Sequence, residues 1–185
     1  MKKIIVSEWI TIDGINDADT MQEWFSPFDS IAKNEYIRNS ILRADTLLVG
    51  RTTYEMLASY WPHQLNDDNG PASKINSMKK VVVSTKLEKA VWNNSTIISK
   101  NIVEEIRKLK QEQGNEIQIP GSATLVQSLM KENLIDVFHL LVHPIIIGRG
   151  KRFFRDGMNT SGMKLVRTEN YDQGVVLLCY ESINK

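Results

Sequence analysis

Apolar residues fall along the chain in short runs that switch between strand-like and helix-like spacing, which predicts alternating strands and helices. Residues 3–10, KIIVSEWI, are β-branched and mostly apolar and predict a first strand. From Ser30 to Ala44, the positions of Ile31, Tyr36 or Ile37, Ile41 and Leu42 approach helical spacing. DTLLVG (45–50) reads as a short buried strand, and TTYEMLASY (52–60) as a helix stopped by Trp61-Pro62. Residues 63–74, HQLNDDNGPASK, are polar and turn-rich and predict a surface loop. KKVVVST (79–85) and STIIS (95–99) are further strands.

A second helix–strand pair follows. In residues 101–114 Ile102, Ile106, Leu109 and Gln113 mark one face, and Glu104 precedes Lys108 by four positions. Asn101 is the expected cap, with Glu104 at the third helical position, and Gly114 the expected stop. EIQIP (116–120) is a strand, and ATLVQSLMKEN (123–133) a helix with Leu125, Val126, Leu129 and Met130 inward. IDVFHLLVHPIII (135–147) reads as a long strand, and residues 162–182 as a hairpin turning at Asp172-Gln173-Gly174. Short apolar strands separated by helices imply an α/β domain: a mixed, mostly parallel sheet with helices on both faces and a C-terminal antiparallel hairpin. In such sheets ligands bind beyond the carboxyl ends of the strands.

Composition narrows the class. With 185 residues, 42% hydrophobic and 24% charged, residues 1–185 suit one domain with a substantial core. A net charge of +1 supplies no field for nucleic acid or an anionic membrane, so neither is an expected partner. Three histidines without ligand spacing give no metal site, and Cys179, in an apolar strand, reads as a buried thiol. The apolar run near the start is too short for a signal peptide, and no later run suits a membrane span, so a soluble cytoplasmic protein is expected.

Three strand ends carry the candidate chemistry. At Gly50-Arg51-Thr52-Thr53, Thr52 followed by Glu55 reads as a capping box, which starts a helix at Thr52 and leaves N–H donors facing outward. Gly50 admits a ligand to the backbone, and Arg51 can grip a phosphate. Pro120-Gly121-Ser122 repeats the arrangement, with Ser122 as cap and the N–H groups of Ala123, Thr124 and Leu125 outward. Ser84-Thr85-Lys86 adds two hydroxyls and a cation. Each alone is equally an ordinary corner; together they fit a dinucleotide. Neither a G-x-G-x-x-G fingerprint nor a P-loop occurs.

Asp13-Gly14 ends the first strand, and Trp24, Phe25 and Phe28 follow in an irregular stretch that forms either a lid over a flat ring or part of the core. Glu35, one turn into the next helix, is the carboxylate placed to donate a proton or anchor a substrate, with Asp13 the other candidate. His63 reads as solvated, and His139 and His143 as one packed or interface face of a strand. Gly148-Arg149-Gly150-Lys151-Arg152 is either a tight corner or a further anion contact.

ADTLLVGRTTYEML, KKVVVST, the stretch from IPGSATL to GRGKRFF, and the early IDG resemble, in order, the bacterial RibD C-terminal-domain-like family of dihydrofolate reductase fold. The likeness runs from about residue 2 to about 181, and Gly-Arg-x-Thr-Tyr-Glu, Gly-Ser-Ala-x-Leu and Pro-x-x-x-Gly-x-Gly make it specific as a set. It implies NADPH laid across the strand ends, with Gly50 to Thr53, Ser84 to Lys86 and Gly121 to Leu125 around it. It also implies reduction of a flat nitrogen heterocycle, as in the ribosylamino-pyrimidinone phosphate step of riboflavin synthesis, with Trp24 and Tyr54 beside that small-molecule substrate. Two features depart from the wider pattern. No zinc-ligand His/Cys set of the often-fused deaminase precedes the domain, and the helix acid that anchors a pteridine falls at Asn34 or Glu35. The alternatives are a non-catalytic NADP-binding module and a dihydrofolate reductase. The long sixth strand and the hairpin suggest a homodimer.

Overall fold

The computed structural model describes residues 1–64, 69–157 and 161–183. Eight strands form one sheet: β1 (Ile4–Thr11), β2 (Ala44–Gly50), β3 (Lys79–Val83), β4 (Ser95–Ile98), β5 (Glu116–Ile119), β6 (Val137–His143), β7 (Met163–Asn170) and β8 (Val176–Ser182). Their spatial order is β4-β3-β2-β5-β1-β6-β8-β7. All pairings from β4 to β6 are parallel, and β8 runs antiparallel to both β6 and β7. The mixed sheet with a terminal antiparallel hairpin is the expected one.

Among the described residues six α-helices cover it: α1 (Met21–Trp24), α2 (Ile31–Arg43), α3 (Arg51–Tyr60), α4 (Pro71–Ser77), α5 (Ile102–Gln111) and α6 (Ala123–Lys131). Alternation along the strands divides the interior in two. On one face Ile4, Val6 and Ile10 of β1 join Leu48, Ile117, Ile119, Phe138 and Leu140, capped by Ile106 and Leu109 of α5 and Leu125, Val126 and Leu129 of α6. On the other, α3 and α4 pack Tyr54, Leu57 and Ile75 on Leu47, Val49 and Val82. There α2 also sets Tyr36 and Ile37 against Leu141, Leu177 and Trp9. Each such apolar side chain stabilises the fold by about 1.5–3 kcal/mol on burial.

Several local expectations fail for identifiable reasons. Pro71–Ser77 is a helix, not loop; Pro71 sits at its first position, where the missing N–H costs nothing. The rest of that predicted loop includes residues 65–68, which lie outside the described residues. Helix α2 turns inward Lys33, Tyr36 and Ser40, while Ile31 is 88% exposed. Asn101 occupies the cap position of α5 but adopts φ 49° and makes no side-chain cap. β6 ends at His143, before Pro144, because proline has no N–H to continue a ladder. No helix among the described residues is long and apolar enough to cross a membrane.

Candidate active site

The parallel strands place four tips in a row: Ser99–Asn101 after β4, Ser84–Lys86 after β3, Gly50–Thr53 after β2 and Gly121–Leu125 after β5. The β2 and β5 tips interlock. A Cβ built on Gly50 would lie 2.6 Å from Ser122 Oγ, and one on Gly121 would meet Thr53 Cγ2 at 3.1 Å. Gly121 also holds φ +141°, a conformation that side-chain-bearing residues rarely adopt.

Helix α3 starts at Arg51, one residue earlier than the capping box implied, with Gly50 as its cap residue. With Arg51 inside the helix, its guanidinium takes Glu55 at 2.8 and 3.1 Å, so Glu55 does not reach back to Thr52. No side chain caps α3, and its first-turn N–H groups at Arg51, Thr52 and Thr53 lack intrahelical partners. At α6 Ser122 caps as expected, accepting from Leu125 N at 3.4 Å while held at φ 78°. That bond uses Leu125, so only the Ala123 and Thr124 N–H groups remain for a ligand. Ser84 Oγ accepts from the Lys86 and Leu87 N–H groups at 3.1 and 3.0 Å, which fixes that tip; Thr85 and Lys86 stay exposed.

Beside these tips the sheet parts. β1 is paired with β6 through Thr11↔His143 but with β5 only through Val6↔Ile119. Beyond Ile119 the chain turns at Pro120-Gly121 into α6, so Ser7–Thr11 of β1 outrun their neighbour. The chain leaves β1 toward β2 on one side and returns from β5 to β6 on the other, which makes this gap the switch point of the topology.

The loop after β1 is fastened to residues 147–153. Asp13 accepts from Gly148 N (2.8 Å), Ile147 N (3.3 Å) and Thr11 Oγ1 (2.5 Å). Burial alone would raise the Asp13 pKa, but these bonds outweigh it and hold the carboxyl below its usual value. Asp17 pairs with Lys151, and Glu23 with Arg149. The cations of the Gly148–Arg152 segment are thus engaged within the chain, in a structural corner. Trp24 is fully buried; its indole N–H donates to Thr20 Oγ1 at 3.2 Å, and its ring lies 5.5 Å from that of His143. Trp24 is therefore core, whereas Phe25 stacks on Trp9 at 4.3 Å. Tyr54 is also core: 2% exposed, its hydroxyl accepting from Trp92 N at 2.8 Å. Glu35 lies on the exposed side of α2.

Two polar groups at the gap escaped the sequence reading. Glu8 is 4% exposed on the same face as Val6 and Ile10, one step beyond the β1–β5 ladder. Its Oε2 accepts from Asn16 Nδ2 at 3.1 Å; its buried Oε1 has no partner. Burial drives its pKa up to about 8, with the Asn16 bond opposing. Asn16 Nδ2 also donates to Trp9 O at 2.8 Å. On the opposite face Lys33 is fully buried, its Nζ 3.0 Å from Asp29 Oδ1 and 3.9 Å from the Phe25 ring centre. His139 and His143 share that face, and burial lowers both to about 4, with Arg43 adding to the effect at His139 and Lys33 at His143. No group of metal-ligating side chains occurs among the described residues.

This sheet order, with paired helix N-termini at adjacent parallel tips, defines a dihydrofolate-reductase-like α/β protein. The chain belongs to the RibD C-terminal domain family, whose model matches residues 2–177. It is 28% identical over 181 residues to the uncharacterized protein YyaP of Bacillus subtilis, covering 97% of this chain and 94% of that one. Among solved structures, a putative riboflavin biosynthesis protein of a Shewanella species matches with TM-score 0.79 at 20% identity, over 97% and 98% of the two chains. A deaminase/5-amino-6-(5-phosphoribosylamino)uracil reductase of Thermotoga maritima gives 0.69 at 15%, over 98% of this chain and 56% of that one. Dihydrofolate reductase of Enterococcus faecalis, complexed with NADP(H), gives 0.65 at 13%, over 98% and 97%. These likenesses establish the shared fold.

Proposed function

We propose that the protein is an NADPH-dependent reductase of a flat nitrogen heterocycle, similar in type to the reductase of riboflavin synthesis. The observation that carries this reading is the interlocked pair of helix N-termini at Gly50 and Gly121, with Ser84–Lys86 on the next strand. Side chains at either glycine would fill the cradle, and unpaired N–H groups at a helix start favour an anion. The residues present therefore suit a pyrophosphate. Thr52, Thr53, Ala123 and Thr124 would hold it, and Arg51 and Lys86 are the cations available to a 2′-phosphate. Releasing Arg51 from its exposed partner Glu55 costs only about 0–1 kcal/mol.

When bound, the cofactor supplies hydride chemistry. The chain itself seats the heterocycle at the β1–β5 gap, excludes water with the fastened loop after β1, and provides a proton. Fluorescence titration tests the reading: NADPH quenches emission from the tryptophans with tighter affinity than NADH, and is oxidised in the presence of 5-amino-6-(5-phosphoribosylamino)uracil. Equal or absent binding of the two nucleotides contradicts it; binding without oxidation of NADPH by pyrimidinones or pteridines favours a silent NADP-binding module.

A further inference from the structure

We propose that Glu8 is the acid that protonates the nitrogen of the substrate's C=N bond during its reduction, an inference that rests on the reductase reading above. Glu8 is the first residue on its face of β1 beyond the last β1–β5 pair, Val6↔Ile119, and so stands where β5 has turned away. Apolar residues share that face: Val6 and Ile10 on β1, Ile119 on β5, Leu140 on β6, and Leu125 and Val126 on α6. The Glu8 carboxyl is buried with one oxygen unbonded. A buried polar atom left unpaired costs about 1–3 kcal/mol, a cost native folds rarely carry without a use for the atom.

Among the described residues no ion pair reaches Glu8, and burial and the Asn16 bond are what act on its carboxyl. Asp13 is bonded by the Ile147 and Gly148 N–H groups, Asp17 is paired with Lys151, and Glu23 with Arg149. Helix α6 carries no ionisable residue before Lys131. With burial as the dominant influence, the carboxyl keeps its proton at neutral pH and can give it up. Asn16 covers it from the loop, its amide spanning Glu8 Oε2 and Trp9 O. A ring entering the gap displaces that amide, and a ring N–H takes over the bond to Trp9 O. This selects a heterocycle with an N–H near a reducible C=N bond.

Hydride supplied by a reduced nicotinamide would bond to the carbon of the C=N bond, which in 5-amino-6-(5-phosphoribosylamino)uracil is the ribose-derived carbon of its opened imine, and the π pair would move to nitrogen, leaving the nicotinamide oxidised. That nitrogen takes the proton from Glu8, the O–H bond breaks, and Glu8 is left as a carboxylate, later reprotonated from water.

Infrared difference spectroscopy and single-turnover kinetics on the wild type, Glu8→Gln and Glu8→Asp test this. The wild type at pH 7 should show a protonated-carboxyl C=O band, absent in Glu8→Gln, that shifts when NADPH and 5-amino-6-(5-phosphoribosylamino)uracil are added. Glu8→Gln should bind NADPH within about threefold of wild type yet reduce the heterocycle roughly 100-fold or more slowly, with Glu8→Asp between them. An ionised Glu8 at pH 7, a band unmoved by saturating ligands, or Glu8→Gln turnover within threefold of wild type overturns the proposal while NADPH binding persists. Loss of NADPH binding by the wild type itself instead removes the reductase reading, and the role of Glu8 with it.

Discussion

Gly50→Ala isolates the contact between the two strand tips. The new methyl would sit 2.6 Å from Ser122 Oγ and 3.1 Å from Ser122 Cβ, and Gly50 itself holds an ordinary extended conformation, so the effect is steric alone. Relief comes from rotating Ser122 away, which breaks its bond to Leu125 N. Loss of a helix cap costs about 0.5–2 kcal/mol. For a protein of this size that corresponds to a fall in melting temperature of roughly 2–4 °C per kcal/mol. Removing the hydroxyl by Ser122→Ala loses the same cap but makes room for the methyl, so the double variant should be no less stable than Gly50→Ala alone. The methyl also stands where the phosphates are expected, and NADPH affinity should fall about tenfold or more, equivalent to 1.4 kcal/mol, even in the double variant. Differential scanning calorimetry gives the first number and fluorescence titration the second. Additive destabilisation with unchanged NADPH affinity would refute both the contact and its place in a cofactor site.

Other predictions concern charge. Arg51→Ala should weaken NADPH by roughly 10–100-fold, the value of about 1.5–3 kcal/mol for a bond to a charged group, and leave NADH little changed; equal losses in the two titrations remove the 2′-phosphate contact. Lys110 Nζ meets Asp136 Oδ2 at 2.5 Å with both side chains under 10% exposed, so Lys110→Ala should cost about 3–5 kcal/mol in urea unfolding, and a loss under 1 kcal/mol contradicts a buried pair. Stability should also depend on pH in a defined way. His139 and His143 titrate near 6.5 unfolded but about 4 folded, so the unfolded chain binds their protons first and stability falls as pH drops from 6.5 toward 4. Glu8 titrates at 4.5 unfolded and about 8 folded, so its contribution, full below 4.5, is lost as pH rises to about 8. Together they place maximal stability near pH 6.5, and Glu8→Gln should flatten the fall above it; an unchanged slope in that variant denies Glu8 its buried proton.

The tips at Gly50 and Gly121 were legible because each combines a glycine, a hydroxyl and the onset of helical spacing, a combination that local rules connect to corners and caps. Their adjacency was not, since the insertion of β5 between β2 and β1 is a matter of topology. Helix α2 misled because its inner face is polar: Lys33 is buried and Ile31 exposed, the reverse of what hydropathy implies. Trp24 read equally as core or as part of a lid, and Tyr54 was expected beside the substrate; packing buries both. Glu8 left a signal that was not taken up. It is an acid in the middle of a strand whose neighbours are buried on both faces, where alternation gives no solvent side for a charge. Glu35, by contrast, satisfied a spacing argument and is exposed on α2.

A crystal structure with NADPH bound tests the central claim most directly. The account expects the pyrophosphate within hydrogen-bond reach of the Thr52–Thr53 and Ala123–Thr124 N–H groups and the nicotinamide at the gap between β1 and β5. Binding at another surface, or phosphates seated away from the Gly50 and Gly121 corners, would contradict it.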